Sequence, residues 1–314
     1  MRLLELAECG FAPEAIVADF GTGLRAGQAL ALPEVPCRGD VFHLIHDLEP
    51  VVTYLENRAY DALDACARLE REQAQQRRQG RPTHGVAQRL WRARVACDAA
   101  ITLADDVRLL GKWLRQDVLA LAGPGSADRL VLYDFIVGEL RTRVASCPHR
   151  LGPLCRLLKN RRDDLLGFAR ALEEELGRMA MAWEVSPEVL RRLLNARCRD
   201  ERDPRRRVEE SAVRRPLGGW YEPACRAIDA LVTGTVRASS LVENVNGRLR
   251  TDFSLRRHLG PEYLELLRFY LNHRVLERSE RPERVGKTPA ELLTGVAHGH
   301  WLELLGFTRF ARPA

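Results

Sequence analysis

The sequence predicts a helix-rich α+β protein, and three observations support this fold class. Hydrophobic residues make up 46% of the 314 residues and aromatic residues only 6%, so the core must be mainly aliphatic. Leu, Ala and Arg recur at helical spacing over long stretches. A pattern of alternating helices and short strands is confined to residues 1–50. We therefore expect a small α/β part and a much larger helical part.

The first 50 residues predict two helices and two short strands. After a short leucine-rich helix, the apolar run at 15–18 indicates a strand, 21–32 a turn and helix, and 35–38 a second strand. Two strands do not form a stable sheet alone. Any further strands must come from elsewhere or are absent.

Residues 51–232 predict an all-helical segment. Leu103, Val107, Leu110 and Leu114 recur every three or four residues and mark one buried helix face. Clusters of Gly, Pro and charged residues predict the breaks between helices. These breaks lie at 79–85, 123–126, 147–153 and 199–210.

The helical segment ends at residue 232, and the composition changes after Thr235. The run at 239–250, SSLVENVNGRLR, predicts the first turns of a helix. Further helices are predicted at 263–270 and 289–293, separated by a basic, proline-bearing segment. These changes divide the chain into four parts, 1–50, 51–232, 233–275 and 276–314.

The net charge of +6 and the isoelectric point near 9.0 suit a polyanionic partner such as DNA. Only three of the 49 basic residues are lysines, so arginine is abundant throughout the chain. The arginine count alone is therefore weak evidence for DNA binding.

Several classes of protein are disfavoured by the sequence. The eight cysteines are scattered without zinc-finger spacing, which predicts reduced thiols. Glu5 and Glu8 interrupt the N-terminal apolar stretch, so it is not typical of a signal peptide. No apolar run approaches the ~18 residues that a membrane span requires. We expect a cytoplasmic, nucleoid-associated protein that makes no membrane contact.

Asp19 directly follows the first predicted strand, where active-site residues often collect. The alternative is that Asp19 only caps the following helix. A second alternative is nucleotide binding, because residues 21–26 fit G-x-G-x-x-A and Asp40 lies where a ribose-binding acid is expected. Pro36 in the second strand, and the lack of predicted strands after residue 50, oppose that alternative.

Glu243, Asn246 and Arg250 share one face of the predicted helix at 239–250, while its leucine and valine residues share another. A carboxylate, an amide and a guanidinium are thus presented together. The alternative is that Ser240 and Glu243 form a capping box, in which the carboxylate only satisfies a backbone donor.

Asp40 and His43 lie one helical turn apart, within reach of a metal ion or of each other. A capping aspartate beside a surface histidine is the commoner arrangement of such a pair. His298 and His300 do not share a helix face, and we interpret them as structural.

A basic segment near the C-terminus is interleaved with aromatic residues, a mixture that suits contacts with phosphates. Its alternative is a solvated face balanced by nearby glutamates. The candidate DNA-binding residues are Arg248, Arg250, Arg256, Arg257, Arg274 and Lys287.

Together these motifs resemble the DDE-type transposases of bacterial insertion sequences, in the branch whose ribonuclease-H-like domain carries a long helical insertion. The resemblance covers nearly the whole chain. The matching motifs are IVAD with two glycines at 16–23, the DVFH of 40–43, the ASSLVEN of 238–244, the FYLNHR of 269–274 and the GKTPAELLTG of 286–295.

The resemblance implies an incomplete ribonuclease-H-like domain interrupted by a large all-helical insertion. It implies that Asp19 is the second and Glu243 the third of three catalytic acids, which hold two Mg²⁺ or Mn²⁺ ions for cleavage and strand transfer. Oxygen ligands and paired ions suit this chemistry. Asp40, His43, Asn244 and Asn246 would have supporting roles, and the partners would be DNA and further transposase subunits, including copies of this chain.

The family's first acid lies on a strand upstream of Asp19, and no aspartate precedes Asp19 here. We therefore expect an N-terminally truncated transposase that is inactive by itself. The alternative function is a helical DNA-binding or regulatory module without catalysis.

Overall fold

The computed structural model describes residues 2–8, 10–18, 21–237, 247, 260–279 and 282–308. The described residues fall into two compact units, one ending at 237 and the other containing 247 and the residues from 260 onward. Most of the described residues are helical. The α-rich prediction is therefore confirmed.

The first unit begins with two short helices and two short strands. Helix α1 is Arg2–Glu8, strand β1 is Ile16–Ala18, helix α2 is Thr22–Ala31 and strand β2 is Cys37–Gly39. The strands pair in parallel, with Ala18 opposite Gly39. Strand β2 begins after Pro36, because proline has no backbone N–H to donate to the ladder. This places β2 close to, but slightly after, the predicted strand.

Two long helices follow the sheet. Helix α3 is Val41–Arg78 and helix α4 is His84–Trp113. They pack against each other and are joined at the predicted break by a short turn. The sequence analysis placed a boundary between residues 50 and 51. Helix α3 continues through both residues, so this boundary falls within one helix.

The remaining helices of the first unit pack around a leucine-rich core. They are α5 (Ser126–Thr142), α6 (Pro148–Trp183), α7 (Pro187–Arg197), α8 (Pro204–Leu217) and α9 (Tyr221–Gly234). Helices α6, α7 and α8 each begin with proline, which suits the first helical position because no intrahelical partner awaits its N–H.

Two predicted breaks are therefore shorter than expected. Helix α6 starts at Pro148 and continues through Pro153, and helix α8 starts at Pro204 within the predicted charged break. Ser186 and Asp203 cap α7 and α8 by accepting hydrogen bonds from their first turns.

The face predicted from Leu103, Val107, Leu110 and Leu114 is buried. These residues join one continuous core with α3, α5, α6, α7, α8 and α9. The helical period of this segment therefore identified the buried face correctly.

The second unit contains three described helices, α10 (Pro261–His273), α11 (Pro289–Thr294) and α12 (Trp301–Leu304). Helix α10 extends the predicted helix at both ends, and α11 lies where it was predicted. Helix α12, in the aromatic tail, was not predicted. Among the described residues, no helix is long and apolar enough to cross a membrane.

Leu158 of α6 is fully buried, and we expect Leu158→Ala to lower the free energy of unfolding by about 2–5 kcal/mol. The loss comes from removed apolar contacts and from the cavity left behind. Urea unfolding followed by circular dichroism measures this change. Met181→Ala on the same helix is the matched control, since Met181 is 77% exposed. Equal stabilities of the two variants would contradict the assigned core.

Candidate functional site

The carboxyl edge of the two-stranded sheet brings together the ends of several chain segments. Because β1 and β2 are parallel, both end at this edge. The backbone N–H of Asp40, directly after β2, donates to the carbonyl oxygen of Ala18 at the end of β1, at 3.0 Å. This hydrogen bond connects the carboxyl ends of the two strands.

Asp40 is fully buried and caps helix α3. Its Oδ1 accepts hydrogen bonds from the backbone N–H groups of Phe42 at 2.8 Å and His43 at 3.2 Å. Its Oδ2 lies 2.9 Å from Nδ1 of His43. Both carboxylate oxygens are thus engaged in fixing the first turn of the helix, which is the commoner arrangement anticipated for this pair.

The chain returns to the same place after helix α9. The backbone N–H of Val41 donates to the carbonyl oxygen of Arg237 at 2.9 Å. Consecutive residues, Asp40 and Val41, therefore bind the carbonyl groups of Ala18 and Arg237. The end of β1, the start of α3 and the distant segment at Arg237 therefore meet at one place.

The side chain of Arg237 anchors this return to the helical body. Its guanidinium donates to the carbonyl oxygen of Leu119 and lies over the ring of Phe168, 5.5 Å from the centroid. Burial lowers the pKa of Arg237. The aromatic face and the carbonyl dipole offset part of the cost of burying this charge.

The guanidinium of Arg129 also lies over the ring of Phe168, 5.7 Å from the ring centroid. Burial, and then repulsion by Arg237, lowers the pKa of Arg129 to about 10. Its guanidinium donates to four backbone carbonyl groups of the segment before α5, at 2.6 to 3.0 Å. Those acceptors belong to Val118, Ala120, Leu121 and Pro124. This arginine shapes the segment and is unavailable for a ligand.

Two of the predicted site residues in the first unit are described, Asp40 and His43, and they contact each other. Eight further candidates, including both acids assigned by the resemblance, lie outside the described residues. These are Asp19, Glu243, Asn244, Asn246, Arg248, Arg250, Arg256 and Arg257.

Arg274 and Lys287 lie in the second unit. Arg274 is positioned over the ring of Tyr270 and lines a cavity of about 440 Å³ together with Arg278, His300 and Trp301. Lys287 is exposed. Its carbonyl oxygen accepts from the backbone N–H of Leu276 at 2.9 Å, which ties the two basic positions into one local structure.

The GKTPAELLTG motif forms a capped helix in this unit. Thr288 and Glu291 form a reciprocal capping box around the start of α11, and Gly295 ends the helix at a φ of 71°. His298 lies 2.7 Å from the hydroxyl of Thr288 and His300 caps α12, so both histidines have local structural contacts. Backbone hydrogen bonds from Thr288 and His298 lower the pKa of Glu291.

Sequence reasoning missed the positioning roles of Arg129 and Arg237. Nothing in their immediate neighbours distinguishes them from the other arginines, because their acceptors come from carbonyl groups exposed by the tertiary fold. A local pattern could not have identified them.

The described residues contain no group of three metal-ligating side chains. After residue 50 they form no strand, so they supply no support for a doubly wound nucleotide-binding sheet. Comparison with known proteins found no matching family model, no matching curated protein and no matching solved structure.

We expect Asp40→Ala to lower the free energy of unfolding by about 1–2 kcal/mol, because the first turn of α3 loses its acceptor. Asp40→Asn retains an acceptor oxygen for the backbone and should cost less. Urea unfolding of both variants checks this order. Asp98→Ala, at an exposed position inside α4, is the control and should change stability by less than about 0.5 kcal/mol. A variant Asp40→Ala as stable as that control would show that the cap is unimportant.

Proposed function

We propose that this chain acts in divalent-metal-dependent phosphodiester transfer on DNA, as part of a DDE-type transposase. In this proposal Asp19 and Glu243 are the metal-binding carboxylates. The chain matches two of the three acids in the family's pattern, so the proposal assigns metal and DNA binding to it and does not assign complete strand transfer.

The observation that carries the proposal is the meeting of Ala18 and Arg237 at Asp40 and Val41. Asp19 follows Ala18 directly in the sequence, and Glu243 follows Arg237 by six positions. Six residues of chain span at most about 22 Å. The two segments that carry the acids therefore start from adjacent hydrogen bonds, although more than 200 residues separate them in the sequence.

The available donor groups suit Mg²⁺ or Mn²⁺. Asp40 accepts hydrogen bonds from the first turn of α3 and contacts His43, so we assign it a positioning role, while the family resemblance assigns Asp19 and Glu243 to the metal. Oxygen ligands are preferred by both ions. When bound, the ions activate an attacking oxygen and stabilise the leaving oxygen of an in-line displacement.

The chain's own residues position DNA and the two acidic segments. Asp40 holds the end of β1 against the start of α3, and Arg237 holds the returning chain against Leu119 and Phe168. Arg274 and Lys287 supply positive charge for phosphate contacts, as do the basic residues at 248–257.

One observation favours the second candidate, a helical DNA-binding or regulatory module without catalysis. Asp40, the described acid at this edge, serves as a helix cap. If Asp19 and Glu243 are also caps, then the same edge is structural and no metal binds there.

Iron-directed cleavage separates these two candidates without requiring strand transfer. Fe²⁺ in place of Mg²⁺, with ascorbate and peroxide, generates radicals that cut the polypeptide beside the bound ion. We expect cuts near residues 19, 40 and 243, identified by mass spectrometry and suppressed by excess Mg²⁺. Asp19→Asn and Glu243→Gln should each weaken all three cuts together, because both acids hold the same ions.

Asp98→Asn is the control for this experiment, since it removes an exposed carboxylate from α4 and should leave the cuts unchanged. Cuts that persist in both acid variants, or that do not cluster at these three positions, would refute the metal site and favour the non-catalytic module.

A further inference from the structure

The far ends of α3 and α4 form a projecting two-helix arm. We define the basic arm as residues 68–94, which include the end of α3, the turn and the start of α4. Val86 and Leu90 are buried in the arm, with Cys66 and Cys97 next to it, but none of these four belongs to the main core. The two helices of the arm therefore pack on a small set of buried residues that is separate from the main core.

The basic arm contains the charge excess of the whole chain. It has eight arginines and two glutamates, an excess of six, and the complete chain has a net charge of +6. The rest of the sequence is thus formally balanced. A patch with this concentration of charge attracts polyanions.

The two glutamates are already paired across the helices. Arg89 lies 2.6 Å from Glu72, and Arg94 lies 2.7 Å from Glu70. The other arginines of the arm are exposed and form no ion pair with any described residue. They are Arg68, Arg71, Arg77, Arg78, Arg81 and Arg92.

The exposed arginines form an extended surface. Arg68, Arg71 and Arg78 lie on one face of α3, because their spacing follows the helical repeat. The ten residue steps from Arg68 to Arg78 give a rise of about 15 Å along the helix axis. One DNA strand presents a phosphate about every 3.4 Å along the axis, so this face spans about four phosphates.

We propose that the basic arm binds the phosphate backbone of double-stranded DNA without reading its sequence. The arginine face of α3 lies along the phosphates of one strand, because its length of about 15 Å matches about four phosphate spacings. Guanidinium groups also suit phosphate oxygens, because they donate two parallel hydrogen bonds.

Other polyanions fit the arm less well. A membrane-surface helix needs a continuous apolar face, whereas Trp91 is the one large exposed hydrophobic residue in the arm. Single-stranded DNA is usually bound in a groove lined by several aromatic residues, and the arm is a projecting helix pair with this single exposed aromatic. Duplex DNA is therefore the partner that these features favour.

This inference does not depend on the proposed metal site. It rests on the charge and exposure of residues 68–94 and requires neither Asp19 nor Glu243. Binding measured in EDTA tests the arm alone, and iron-directed cleavage tests the metal site alone. Either can fail while the other holds.

The test measures binding of the full chain to a fluorescent duplex of arbitrary sequence by anisotropy, over a range of salt concentrations. We expect the triple variant Arg71→Gln, Arg78→Gln and Arg81→Gln to raise Kd at least about tenfold at low salt. The slope of log K against log salt should fall in magnitude by about 2 to 3, since each lost phosphate contact removes about 0.9.

The matched control is Arg205→Gln, Arg207→Gln and Arg215→Gln, which removes three exposed arginines from α8. It should leave the slope nearly unchanged. A second arm variant, Arg68→Gln, Arg77→Gln and Arg92→Gln, provides an independent measurement if the first unfolds in circular dichroism.

Three outcomes would overturn the proposal. The arm variants bind duplex as the wild type does, or they lose no more affinity than the α8 control. The third outcome is that phosphatidylserine vesicles or single-stranded DNA displace the duplex at equal phosphate concentration. In that outcome the arm variants weaken binding to the vesicles or to the single strand, but not binding to the duplex.

Discussion

The start of helix α3 is the point on which the arrangement of the first unit depends. A buried carboxylate at Asp40 is stable because two backbone N–H groups and a histidine nitrogen surround it. The backbone of Asp40 and Val41 then holds the carbonyl groups of Ala18 and Arg237. A short sheet of two strands has little stability of its own, so it relies on this junction and on the helices behind it.

Two arginines, the buried Arg129 and the half-buried Arg237, help to order the helical part of the first unit. Arg129 and Arg237 each lie over the ring of Phe168 and donate hydrogen bonds to backbone carbonyl oxygens. Their lowered pKa values reflect burial and, for Arg129, the proximity of Arg237. The arrangement uses positive charge to order a segment that lacks regular hydrogen bonding, and it ties the returning chain to the body that carries the sheet.

The molecule thus uses arginine in two physically distinct ways. In the body, Arg129 and Arg237 bind backbone carbonyl groups and Arg197 pairs with Asp229 and Glu210, so these arginines contribute order. In the basic arm, most arginines are exposed and form no ion pair with a described residue. They therefore contribute positive electrostatic potential at the surface. The basic arm therefore presents a concentrated positive surface, which is the basis of the proposed contact with DNA.

The sequence by itself determined the helical character, the buried face of α4, both strands to within two residues and the capping aspartate at α3. These features depend on periodicity, proline and short-range hydrogen bonds, which neighbouring residues control. The charge excess of the arm was also countable from the sequence. Only the tertiary structure decided that Arg237 returns to Val41, that Arg129 is buried among carbonyl groups and that α3 passes beyond residue 50 without a break. Those contacts join residues far apart in the chain, and their stability comes from packing that no local pattern encodes.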